Sequence, residues 1–266
     1  MTAFTESKAG NAKITRIAAR LDGAASAARA MPQSMGDDVM SIAEAYDVQR
    51  ALVALRVGRG HPRIGMKMGF TSRAKMLQMG LSDLIWGRLT SDMLVEDGGT
   101  DELFHIHPRV EPEICFLLKK PLSGRVTPLA ALAAVEAIAP ALEIIDSRYL
   151  DFKFSLADVV ADNASSSALV VGAWHVPDID FSNLGLVLEV DGRTVEVGST
   201  AAILGHPLRS LCAASRLVAE AGEVLEAGSL VMAGGATAAF AIPAGASVRC
   251  DMQTLGRVGF SMAKAR

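Results

Sequence analysis

The sequence predicts an α+β protein: an N-terminal helical segment over residues 1–60, then a strand-rich mixed β roll or barrel over 61–266, folded as one integrated unit. Two observations carry this. Helical spacing of apolar residues dominates up to about residue 60 and is then mostly replaced by short strand-like runs cut by glycine, proline and Asp-Gly signals. With 50% hydrophobic and 21% charged residues, 266 residues suffice to bury a substantial core without a second large domain.

In chain order, "NAKITRIAARLDGAASAARA" places Ile14, Ile17, Ala18 and Leu21 on one helical stripe. "MPQSMGDD" breaks it, and Asp37 and Asp38 stand where a helix start favours negative charge. "SIAEAYDVQRALVALR" repeats the pattern with Ile42, Ala45, Tyr46, Val48 and Leu52, and "VGRGHPRIG" ends it. "RIGMKMGFTS" predicts a short strand running into a turn, and "RAKMLQMG" a short helix closed by glycine. "RVEPEICFLLKK" predicts a strand, "PLAALAAVEAIA" a helix and "PALEIIDSRY" the strand leaving it. "LGLVLEVDGRTVEVGS" predicts a hairpin turning at Asp191-Gly192. "SLCAASRLVAEAG" predicts one more helix, and the stretch from Gly228 to Ala263 three strands with glycine-rich turns.

The bulk properties exclude several classes of function. Lysine and arginine number 26 against 29 acidic residues, with no basic run, which argues against nucleic acid as the main partner. Cys115, Cys212 and Cys250 lie far apart, as free thiols in a reducing compartment do. The N-terminal stretch lacks the apolar centre of a signal peptide, and the longest apolar run is interrupted by Glu136, Pro140 and Glu143. The expectation is a cytoplasmic protein without a membrane span.

The chemistry concentrates in a few stretches. Alternation along "RVEPEICFLL" puts Glu111 and Glu113 on one face and Val110, Pro112, Ile114 and Phe116 on the other. Either the paired acids are solvated or a cation sits between them. Glu143, in "PALEIIDSR", would add a third carboxylate on a strand, a donor set suited to Mg²⁺ or Mn²⁺. Lys67 interrupts the apolar strand in "GMKMGFTS", as a pocket lysine or as a surface one whose stem packs on apolar neighbours. Ser165, in "DVVADNASSS", and Thr237, in "MAGGATAA", offer hydroxyls from a turn and a glycine-rich loop. That loop lacks nucleotide-binding spacing, and no G-x-S-x-G elbow exists. His105 and His107 alternate as on a strand without further zinc-type ligands, and read as structural.

From about Ala45 to the C-terminus these segments resemble the fumarylacetoacetate hydrolase-like superfamily, in its hydratase/decarboxylase branch of aromatic meta-cleavage pathways. "GMKMGFTSRAKMLQMG", "RVEPEICFLL", "PALEIIDSRYLDFKFSLADVVADNASS" and "MAGGATAA" occur in the order of that branch. The resemblance implies metal-ligating Glu111, Glu113 and Glu143 with Mg²⁺ or Mn²⁺, and a pocket lysine at Lys67. Ser72, Ser165 and Thr237 are then candidate substrate contacts. Phe70 replaces a usual leucine and Cys115 a common alanine. Ser82 stands where hydratases often carry an acid, which leaves adjacent Asp83 as the candidate acid. The implied activity is decarboxylation of the small dicarboxylate 2-oxo-3-hexenedioate, with a 2-oxopent-4-enoate hydratase, or a silent partner of one, as alternatives. A homo-oligomer and a complex with that hydratase are implied partners.

Overall fold

The computed structural model describes residues 2–72 and 84–264. Helices α1 (Thr2–Ser26) and α2 (Ile42–Gly58) form where the apolar spacing predicts them. Ile17, Ala18 and Leu21 bury against Ala45, Val48 and Leu52, although Ile42, counted on that stripe, is 41% exposed. The start of α2 is set by Ser41 and not by the upstream acids. The Ser41 hydroxyl accepts from Glu44 N–H, and the Glu44 carboxylate accepts from Ser41 N–H at 2.8 Å. Asp37 and Asp38 lie in a separate 3-10 turn, from which Asp38 pairs with Arg16 and Arg20 of α1.

Among the described residues thirteen strands follow in two sheets: β1 (Arg63–Gly69), β2 (Ile85–Thr90), β3 (Leu94–Val95), β4 (Thr100–Asp101), β5 (Arg109–Leu118), β6 (Val135–Ile145), β7 (Ser166–Val171), β8 (Gly185–Val190), β9 (Arg193–Ser199), β10 (Leu230–Met232), β11 (Phe240–Ala241), β12 (Ser247–Met252) and β13 (Gly256–Met262). The larger, curled sheet runs β2-β1-β10-β5-β6-β7-β3, with β11 sharing an edge of β5; the smaller runs β4-β13-β12-β8-β9. The hairpin of β8 and β9 turns at Asp191 and Gly192, both with positive φ (51° and 72°), as a two-residue turn demands.

Ile114, Phe116, Ile138 and Leu142 of the larger sheet form one core with Leu188, Val248 and Phe260 of the smaller. The helix Pro207–Glu220 seals that core with Leu211, Ala214 and Val218. The opposite face of the larger sheet carries a smaller apolar patch of Leu89, Cys115, Ala141, Leu169 and Met232. The site is built on this second face.

Two expectations need correction. The helix expected over residues 128–139 stops at Ala133, and β6 begins at Val135. Alanine favours helix only weakly, and long pairing of β6 with β5, from Leu118↔Val135 to Arg109↔Ile145, overrides it. The three strands expected between Gly228 and Ala263 are four, because the short β11 regains the edge of β5 after β10 has left it. Pro112 explains the gap. It lies between the residues of β5 that pair with β10 (115–117) and with β11 (109–110), and lacks the N–H a continuous partner would need. Loop 233–239 bulges out there, tied back by Ala236 N–H to the Pro112 carbonyl at 2.8 Å.

Candidate functional site

Glu111 of β5 lies directly opposite Glu143 of β6, and alternation brings Glu113 to the same face. One carboxylate oxygen from each of the three lies within 4.8 Å of the others. Lys67 of β1 reaches this group, with its Nζ 3.0 Å from Glu143 Oε2, and both side chains are buried. Glu113 Oε2 accepts from Gly234 N–H at 2.7 Å. That leaves Glu113 Oε1 and Glu143 Oε1 buried without a hydrogen bond.

The loop displaced by Pro112 closes the site. A Cβ on Gly235 would sit 2.9 Å from the carboxyl carbon of Glu111, so glycine is what lets the backbone approach the acid this closely.

Burial and mutual repulsion govern the electrostatics of Glu113 and Glu143. Burial, then the charges of Glu143 and Glu111, push the Glu113 carboxyl well above its ordinary value. Burial raises Glu143 too, against the pull of Lys67. Among the described residues Lys67 pairs with Glu143 alone, and Glu113 Oε1 and Glu143 Oε1 face the gap unpartnered. All donors are hard oxygens, so the residues fit a divalent cation of the Mg²⁺ class.

The adjoining cavity is lined by Lys67, Glu111, Ser72 and Ser165, with Ile85, Ile145 and Phe154 as apolar walls. Ser165 is delivered by an unusual backbone: Asn163, Ala164 and Ser165 all have positive φ, at 53°, 52° and 58°. Two buried anchors hold this run. The Asn163 side chain accepts from Arg88 N–H at 2.7 Å and donates to the Arg88 carbonyl at 2.8 Å. Arg148 binds the Asp162 carboxylate through its Nε and its backbone N–H. The Ser165 hydroxyl itself is buried and unpartnered.

The structure therefore brings Lys67, Glu111, Glu113, Glu143, Ser72 and Ser165 together. Thr237 is not among the cavity-lining residues; its hydroxyl donates to the Ala238 carbonyl at 2.9 Å. Asp83 and the helix expected over "RAKMLQMG" lie outside the described residues. Phe70 lines the cavity with φ 58°, while Cys115 stays in the apolar patch behind the acids. His105 and His107, expected to alternate on a strand, are not on one. His105 Nε2 lies 2.7 Å from Asp101, and Asp146, just past β6, accepts from the N–H groups of Ile106 and His107.

Sequence reasoning passed over Arg109, Phe152 and Phe154, which also line the cavity. Arg109 was within reach of it, because the alternation that pairs Glu111 with Glu113 puts Arg109 on the same face.

A family model described as "Fumarylacetoacetate (FAA) hydrolase C-terminal" matches residues 94–262. The chain belongs to the fumarylacetoacetate hydrolase family. Within it, a 4-oxalocrotonate decarboxylase of a Pseudomonas species is 66% identical, over 94% of this chain and 98% of that protein. A 2-keto-4-pentenoate hydratase of Paraburkholderia xenovorans is 34% identical, over 82% and 83%. A solved 4-oxalocrotonate decarboxylase from Pseudomonas putida G7, complexed with magnesium and adipate, matches with a TM-score of 0.91 at 38% identity, covering 95% of this chain and 98% of that one. Among the described residues of this family member, no helix is long and apolar enough to cross a membrane.

Proposed function

We propose that the chain catalyses the metal-dependent decarboxylation of 2-oxo-3-hexenedioate (4-oxalocrotonate) to 2-hydroxypenta-2,4-dienoate and CO₂, using Mg²⁺ or Mn²⁺. The observation that carries this is the cluster of half-buried Glu111 with buried Glu113 and Glu143, opening onto a cavity with a basic lysine and apolar walls. The 66% identity to a 4-oxalocrotonate decarboxylase, against 34% to a hydratase, selects the reaction.

When bound, a divalent cation there supplies a Lewis acid for the negative charge that develops at the C2 oxygen as the C5–C6 bond breaks. Glu111, Glu113 and Glu143 hold it. Lys67 holds Glu143 in place through their hydrogen bond and adds positive charge to the wall where the substrate's keto-acid end sits. Ser165 and Ser72 are the hydroxyls in place to orient that end. Ile85, Ile145 and Phe154 wall the cavity and exclude water from it. Asp83 remains the candidate acid. Assembly into a homo-oligomer, or with the hydratase that consumes the unstable dienol, belongs to the same proposal and is read by light scattering with and without that enzyme.

The test is a spectrophotometric assay with 2-oxo-3-hexenedioate, following substrate loss and CO₂ together, with Mg²⁺, with Mn²⁺ and with EDTA. CO₂ in step with substrate loss, abolished by EDTA, is expected. Metal-dependent loss of 2-hydroxypentadienoate without CO₂ release would make the chain a hydratase instead.

A further inference from the structure

The metal cluster and Lys67 account for one end of a dicarboxylate and leave the other end without a partner. We propose that Arg109 takes it: its guanidinium binds the carboxylate remote from the acidic cluster and makes the site selective for dicarboxylates over monocarboxylates. This rests on the decarboxylase reading above.

Four observations converge on it. Arg109 lines the same cavity as Lys67 and Glu111. It lies two residues before Glu111 on one strand, so their Cα atoms are roughly 6–7 Å apart, comparable to the span of an extended six-carbon diacid.

Among the described residues no carboxylate forms an ion pair with Arg109, whereas buried Lys67, Arg88 and Arg148 are matched by Glu143, Glu223 and Asp162. The Arg109 guanidinium instead lies over the ring of Phe152, 4.4 Å from its centroid, and the His107 ring backs Phe152 at 4.4 Å. Stacking fixes the plane of the fork and leaves its edge free for a bidentate carboxylate. Asp151 and Phe152, with φ of 56° and 55°, form the tight turn that presents this ring.

The test compares adipate, a six-carbon diacid, with hexanoate, the matching monoacid, by calorimetry on the Mg²⁺-loaded protein. The wild-type protein should bind adipate more tightly. In Arg109→Gln adipate should weaken about 10- to 100-fold, to the level of hexanoate, with hexanoate and Mg²⁺ affinities unchanged. Arg109→Lys should recover part of the loss, and Phe152→Leu, which keeps the charge but removes the stacking ring, should fall between. Unchanged adipate binding in Arg109→Gln overturns the proposal, as does an equal loss of hexanoate. Failure of the decarboxylase reading shows separately: no CO₂ from the wild type, with the adipate preference and its dependence on Arg109 intact.

Discussion

Glu113→Gln separates a metal site from a structural acid cluster, because it should make the metal-free protein more stable while removing metal binding. Glutamine keeps the shape of the side chain. Its carbonyl can retain the Gly234 N–H bond, and its amide can donate toward Glu143 Oε1, so both unpartnered oxygens are resolved at once. Supplying a partner to a buried polar group that lacks one is worth roughly 1–3 kcal/mol. For a chain of this size that raises the melting temperature by roughly 2–4 °C per kcal/mol.

The pH dependence fixes the sign. Burial and the neighbouring carboxylates raise the Glu113 carboxyl above its ordinary 4.5, so the folded protein keeps this proton at pH values where the unfolded chain has released it. Stability therefore falls as pH rises from 4.5 toward the raised folded value, and the deficit persists above it. The advantage of Glu113→Gln should accordingly be larger at pH 8 than at pH 5 in melts of EDTA-treated protein. Added Mg²⁺ at about 100 times its Kd should stabilise the wild type by about 2.7 kcal/mol and leave the variant where it was. A metal-free variant that melts below the wild type at pH 8, or one that still gains the full Mg²⁺ shift, would refute the reasoning.

Three further outcomes are expected. Gly235→Ala puts a methyl 2.9 Å from the Glu111 carboxyl carbon and should weaken Mg²⁺ binding about tenfold or more in a calorimetric titration, with a smaller effect on melting. Lys67→Met leaves Glu143 buried without its cation; it should destabilise the metal-free protein by about 3–5 kcal/mol and sharply lower kcat/KM even at saturating metal. Burial alone would lower the His105 imidazole, but Asp101 and Asp146 outweigh it and bring it to about 9. His105 therefore adds stability that is complete below about 6.5 and lost as pH rises through about 9, which an NMR titration of its ring protons and the flatter pH–stability curve of His105→Gln would report.

The acids of the site were legible because strand alternation is a local rule. It put Glu111 and Glu113 on one face, and the structure keeps them there. Glu143 and Lys67 stood out as charges inside apolar strands, but their meeting depends on sheet order, which no local pattern encodes: β1 reaches β5 only through β10. The same limit explains the misread helix. Residues 128–139 have alanine-rich helical character, and only the pairing partner decides against it. Ser165 was visible as a hydroxyl in a polar turn, while the three left-handed residues that aim it depend on Arg88 and Arg148 from distant segments. Arg109 needed no tertiary information; the alternation simply had to be followed one step back from Glu111.

These particulars share one cause. A proline inside a ten-residue strand would ordinarily weaken a sheet. Here Pro112 opens the edge of β5 where the neighbouring chain must leave, and the chain that leaves carries the Gly234 N–H to Glu113 and the bare Gly235 backbone to Glu111. Among the described residues the ladder is interrupted at that edge, where loop N–H groups meet the Pro112 and Ile114 carbonyls in place of a partner strand, and Glu113 Oε1 and Glu143 Oε1 stay unpartnered beside it. Stability sacrificed at adjoining points, with glycine needed at their meeting, is what a preformed cation site requires and what a purely structural sheet would have no reason to keep.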